Sequence, residues 1–174
     1  MKKTIIIGAL IAAGMLTIRS AGACSLLEPV PSPDVVVGHA QVIALATAID
    51  VWREPDRRAG VDGIVEFRID HVLKGDLPAR VIRIVGTLTE QDDFNDIPMP
   101  HTFVRREGRG GSCFATTYKK DGTFLLMLKP IAPERFEPFK PEWTPYWQPL
   151  APINEQVHGA DDPWVAWVRT RLAR

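Results

Sequence analysis

Cysteine is scarce in this chain: there are two in 174 residues, Cys24 and Cys113. That scarcity excludes a four-thiolate structural zinc site and a scaffold held by several disulfides. Histidine is nearly as scarce, and His39, His71, His101 and His158 are scattered with no i, i+4 pair and no carboxylate-bearing motif around them. Metal-dependent hydrolysis has no carrier in that pattern, so the chain is expected to be a non-enzyme with no cofactor and no metal of its own. Ser112-Cys113 has the residue types of a nucleophile, but in an exported chain a disulfide is the expected fate of such a thiol. The acidic stretch Asp92, Asp93 and Asp96 is expected to be a solvated loop rather than a calcium site. After the first turns of the chain no apolar run approaches the about 20 residues that span a bilayer, so no transmembrane segment is expected.

What is present begins with a leader. Lys2 and Lys3 precede an apolar stretch from Ile5 to Ile18, Arg19 closes it, and Ala21-Gly22-Ala23 supplies a small-residue cleavage pattern. Residues 1–23 are therefore expected to be a signal peptide and the mature protein to be periplasmic or secreted. Its removal leaves 18 basic residues against 21 acidic ones. That mildly acidic balance argues against nucleic acid as a partner, and Arg105-Arg106-Glu107-Gly108-Arg109 is expected to be a solvated loop face.

Cleavage makes Cys24 the first mature residue, with three fates open to it: a free N-terminal cysteine, a disulfide, or acylation as a lipoprotein. Ala21 stands where lipoprotein leaders carry leucine, which makes acylation the minority reading. In an oxidising compartment the only disulfide partner in the chain is Cys113. That bridge would close a loop of roughly 90 residues, worth about 4 to 5 kcal/mol in the chain-entropy estimate.

Along the mature chain, Pro29, Pro31 and Pro33 predict an extended arm over Ser25 to Asp34. Val35 to Trp52 predicts a bent strand preceded by a helical turn, and Val65, Phe67, Ile69 and His71 alternate with Glu66, Arg68 and Asp70 as in a half-buried strand. Lys74-Gly75-Asp76 is a turn, Val81 to Val85 a third strand, His101 to Arg105 a short edge strand and Thr123 to Leu128 a buried one. Five short strands in this length predict an all-β, five-stranded barrel of the OB type. Seven prolines between Pro130 and Pro152 predict a proline-rich wrap, with Trp143, Tyr146 and Trp147 in it. Asp162-Pro163, followed by Trp164, Trp167, Val168 and Leu172, predicts one closing amphipathic helix that packs on the barrel. The expected organisation is a leader over 1–23, a barrel over 24–129 and a wrap with helix over 130–174.

Several segments in this order carry a family resemblance. Cys24-Ser25, the strand through Ala44 to Val51, Val65-Glu66-Phe67-Arg68-Ile69-Asp70-His71-Val72-Leu73-Lys74-Gly75-Asp76, Ser112-Cys113 and Asp121-Gly122-Thr123-Phe124-Leu125-Leu126 together resemble the netrin-like, tissue-inhibitor-of-metalloproteinases-like (TIMP-like) OB-fold domain in its bacterial exported form. The resemblance covers Cys24 to Leu128. It implies that the α-amino group and carbonyl of Cys24 chelate the catalytic zinc of a partner metalloendopeptidase, while the Ser25 side chain enters its specificity pocket. The chain departs from the animal inhibitors in carrying Leu26 where they place a second cysteine. The expected function is an exported protein-binding module, acting as a metalloprotease inhibitor through Cys24. The alternative is a non-inhibitory envelope or matrix-associated interaction protein that uses the barrel face or the Arg105 to Arg109 loop.

Overall fold

The computed structural model describes residues 29–52, 63–131 and 143–174. The leader, Cys24 and Ser25 lie outside the described residues.

Helix α1 covers Pro33–His39, taking in the last two residues of the arm expected to be extended and supplying the helical turn expected before the first strand. The Ser32 hydroxyl accepts from the Val35 N–H and Pro33 sits in the first turn, where a missing N–H costs nothing, so the third proline of the arm starts a helix instead of preventing one. Strand β1, Val42–Trp52, pairs along one edge with β2, Gly63–Lys74, and along the other with β5, Thr123–Pro130, both antiparallel. Its register against β5 runs without a break, while against β2 it slips between Ile43 and Ala44, Leu45 and Ala46, and Ala48 and Asp50. Those bulges bend the strand as its length required.

Strand β3, Val81–Thr89, pairs antiparallel with β2 and continues past the expected end at Val85. Gly86 allows the extension: a Cβ there would lie 2.3 Å from the Thr116 carbonyl oxygen and 2.5 Å from Tyr118 Cε2. Strand β4, Thr117–Lys119, uses that close approach to pair with β3 in parallel. Strands β6, Trp143–Pro145, and β7, Asn154–Val157, share the free edge of β5. The sheet thus has seven strands in the order β4-β3-β2-β1-β5-β6, with β7 also on β5.

The expected all-β class holds, with a sheet of seven strands where five were expected and no strand pairing among the described residues that closes it. His101 to Arg105 forms no strand, because the Arg105 N–H donates to the Glu155 side chain rather than to a neighbouring strand. The additional strands β4, β6 and β7 have three or four residues each, too few for period-2 alternation to register.

Two apolar cores lie on opposite faces of β1 and β5. Ala44, Ala46, Ala48, Phe124, Leu126 and Leu128 face inward with Val65, Phe67, Ile82, Ile84 and Tyr118. Ala44 stands opposite Leu126 and Ala46 opposite Phe124, so small residues on one strand leave room for large ones on the next. Ile43, Leu45, Leu125 and Met127 face the other way and meet both helices. This double burial explains why β1 and β5 are continuous apolar runs while β2 and β3 alternate. Helix α2, Pro163–Leu172, packs Trp164, Val165 and Val168 into the second core, with the Asp162 carboxylate accepting from the Trp164 N–H at 2.8 Å. His71 is exposed, not inward as its position in the alternation implied. No helix among the described residues is long and apolar enough to cross a membrane.

The turn after β2 requires its glycine. Gly75 has φ +75°, and a Cβ would meet the Gln41 carbonyl oxygen at 2.3 Å. Beside it, Lys74 Nζ donates to the Val37 and Gly38 carbonyls at 2.8 and 2.9 Å, capping the C-terminal end of α1 with a cation.

Candidate functional site

Cys113 is the one member of the expected site within the described residues. It lies between the 3-10 turn Arg106–Arg109 and β4, in the left-handed region with φ 65°, and it is not a free thiol. Its carbonyl accepts from the Leu150 N–H at 2.9 Å. Its side chain packs against a small apolar cluster of Val104, Ala115 and Leu150, and Val30 of the N-terminal arm packs against the same cluster. Next to it the Ser112 hydroxyl donates to the Phe114 carbonyl at 2.6 Å, and the Phe114 ring meets Trp147 edge-on with centroids 4.8 Å apart. The crevice between Cys113, Phe114, Trp147 and Gln148 has no interior space for a water molecule, so it is a seam between chain segments rather than a ligand chamber.

The larger polar feature is one the sequence reading assigned to solvent. Arg105 is completely buried. Its guanidinium donates to Asp93 Oδ2 at 2.7 Å, to the Asn154 carbonyl at 3.1 Å and to the Thr117 carbonyl at 2.8 Å, and it lies 5.5 Å from the centroids of both the Tyr118 and Phe124 rings. Around it, β7 contributes three buried polar side chains in succession, Asn154, Glu155 and Gln156. Glu155 accepts from the Arg105 N–H at 3.2 Å and from Asn95 Nδ2 at 2.8 Å. Asn154 Nδ2 donates to the Ala115 carbonyl at 2.6 Å and to the Tyr118 hydroxyl at 2.8 Å, and Gln156 bonds both the Asp93 N–H and the Asp92 carboxylate.

Burial dominates the electrostatics of this cluster. It pushes the Glu155 carboxyl up to about 7 against the opposing pull of Arg105 and Asn95, and it pushes the Tyr118 phenol up to about 12. At the rim the order is reversed: hydrogen bonds from Arg109 and Arg106 bring the Asp96 carboxyl down to about 2. Arg106 Nε lies 2.8 Å and Arg109 Nη2 2.5 Å from that carboxylate. Arg105 is therefore an interior cation, which corrects the expected solvated face at that position, while Arg106 is exposed and meets Asp96 at the surface. In the acidic loop before it, Asp92 and Asp96 are exposed, while Asp93 and Asn95 turn toward the cluster as two of its partners. The missed signal lies in Asn154-Glu155-Gln156-Val157: three polar residues in a short strand beside an exposed-looking arginine run have no period to mark them, and only their pairing reveals them.

Among the described residues, no group of three or more His, Cys, Asp and Glu side chains is arranged to hold a metal ion. The histidines have separate local roles: His39 Nδ1 is 2.8 Å from the Tyr146 hydroxyl, His101 Nδ1 is 2.8 Å from the Ile97 carbonyl, and His158 stacks on Phe94 at 4.0 Å. Comparison with known proteins finds no family model that matches the chain and no curated protein with significant similarity to it.

Proposed function

We propose that the chain is an exported protein-binding module of the OB-barrel type, not an enzyme, and that it inhibits a zinc metalloendopeptidase through Cys24. The observation that carries this reading is the shared seat of Val30 and Cys113 on Val104, Ala115 and Leu150. The arm leading back to Cys24 and the second cysteine thus converge on one place. The six steps along the chain from Cys24 to Val30 reach at most about 20 Å when extended, so the cysteines are within pairing range along the chain. A Cys24–Cys113 bridge would hold the mature amine in place and lower the ordering cost of binding. An unprotonated α-amino group can fill the open position that a catalytic zinc keeps, and its ordinary pKa of about 7.7 to 8.0 makes that form accessible near neutral pH.

The barrel reading is supported by the bulged, doubly paired β1 and by contact between β3 and β6, which lie four places apart in the strand order. The second reading, a non-inhibitory envelope or matrix-binding module, uses the Arg105 to Arg109 loop, where Arg106 is exposed, or the barrel face. Val72, Val81 and Val85 are exposed there.

The test is a titration of the mature protein, beginning at Cys24, against purified zinc endopeptidases, in parallel with a form carrying one extra N-terminal residue. Inhibition that disappears on extension supports chelation; inhibition by neither form, or by both equally, overturns it. Intact mass of the exported protein separates the fates of Cys24, since a bridge removes two hydrogens and acylation adds a diacylglycerol.

A further inference from the structure

We infer that the Arg105–Glu155 cluster is a proton-operated latch, which holds the segment 92–109 and the neighbouring Cys113 loop on β7 in mildly acidic conditions and loosens them as pH rises. The first observation is a count of charge. Arg105 is the one fully buried cation among the described residues, and its guanidinium is committed to Asp93. Glu155 is 1% exposed and receives two neutral donors, the Arg105 peptide N–H and Asn95 Nδ2, with no direct guanidinium contact. Glu107 faces the same interior from the 3-10 turn, with its Oε1 3.3 Å from the Thr117 hydroxyl and its Oε2 buried without a hydrogen-bond partner. Asp93, Glu155 and Glu107 thus share one buried cation, which leaves negative charge uncompensated when all three are ionised. Tyr118 faces the cluster from β4 as a neutral phenol, and Arg109 reaches it only through Asn95 Oδ1 at 3.3 Å.

The second observation is what the cluster holds. Glu155 and Gln156 bind the 92–97 segment through Asn95 and Asp93, and Glu155 binds the 104–109 segment through Arg105. Asn154 binds the chain just after Cys113 through the Ala115 carbonyl. A carboxylate at Glu155 keeps its two donors but leaves a buried charge unbalanced. A carboxylic acid removes the charge and keeps one good acceptor oxygen, so it weakens one of the two hydrogen bonds, an effect smaller than the desolvation it relieves. Protonation therefore favours the docked arrangement, with burial as the dominant cause. Because the folded protein binds this proton more tightly than the unfolded chain, the stability that Glu155 contributes is fully present below the ordinary glutamate range. It falls as pH rises toward neutrality and is fully reduced above about 7.

Two measurements on the full mature protein test this. The first is a carbon-13 NMR titration of the Glu155 side-chain carboxyl in the wild-type protein, expected to show a midpoint near neutrality; a midpoint in the ordinary glutamate range overturns the latch. The second is amide hydrogen exchange, corrected for intrinsic rate, at Asp93, Arg105 and Glu107, whose N–H groups donate to Gln156, Glu155 and Asp93. Opening there is expected to increase by up to about a hundredfold between roughly pH 5 and pH 8. Glu155→Gln, which keeps one donor and one acceptor without charge, is expected to abolish that increase. Wild-type opening that is independent of pH, or an increase unchanged in Glu155→Gln, overturns the inference.

Discussion

Strand β5 is sealed along its two edges by different physics. On one side β1 pairs with it over Val42 to Thr47, and the side chains there are aliphatic, with the threonine at the end. On the other, β7 pairs with it over four residues and brings Asn154, Glu155 and Gln156 into the interior. Both seams are buried and antiparallel. The apolar seam is non-directional, so its energy scales with area and survives small shifts of packing. The polar seam depends on each partner being present, because a buried group that loses its hydrogen bond or counter-charge retains its desolvation cost. The β1 side should therefore tolerate isosteric change and ignore pH, while the β7 side should tolerate neither.

The largest expected effect breaks the polar seam. Arg105→Met removes the buried cation and leaves Asp93 and Glu155 facing each other, and should cost about 4 kcal/mol in denaturant unfolding, more at alkaline than at mildly acidic pH. An equal loss at both pH values would show that the carboxylates do not depend on Arg105. Leu126→Ala on the apolar seam should cost about 3 kcal/mol and should do so equally from acid to mildly alkaline pH, since the titratable group in that core, Tyr118, is pushed up to about 12 by burial. Asp162→Ala removes the N-cap of α2 and should lower stability by about 1 kcal/mol, read as a shift in thermal midpoint. Arg83→Ala breaks the cross-strand pair with Glu66, 2.8 Å long but on the solvent face, and should change stability by less than about 0.5 kcal/mol. A larger loss there would mean that the outer face of β2 and β3 is more than a solvated surface.

The two seams also differ in how far they could be read in advance. The apolar one was legible: Val42 to Ala48 and Thr123 to Leu128 are unbroken runs, and unbroken runs of that length predict strands buried on both faces. Lys74-Gly75 was legible as a turn, because the left-handed backbone there accepts glycine and little else. Asp162-Pro163 was legible as a helix start for an equally local reason. The polar seam was not legible. Asn154, Glu155 and Arg105 have the residue types of exposed positions, and their partners lie about 40 to 60 residues away in sequence, where no local pattern can reach. Arg106 is on an exposed loop face as expected, while Arg105 beside it is interior. The expected inhibitory residues Cys24 and Ser25 lie outside the described residues, while Cys113, the expected disulfide partner of Cys24, has a defined seat.

The sequence by itself determined the strands and helix whose signals are local: hydrophobic period, glycine and proline at turns, an acid before a proline at a helix start. Such signals work because they follow from the backbone conformation of a few consecutive residues. Only the tertiary structure decided that the sheet has seven strands, that two helices cover one face of it, and that Arg105 is an interior cation. Charged residues obey no period, and whether one is solvated or buried depends on which counter-charges and acceptors the fold brings to it.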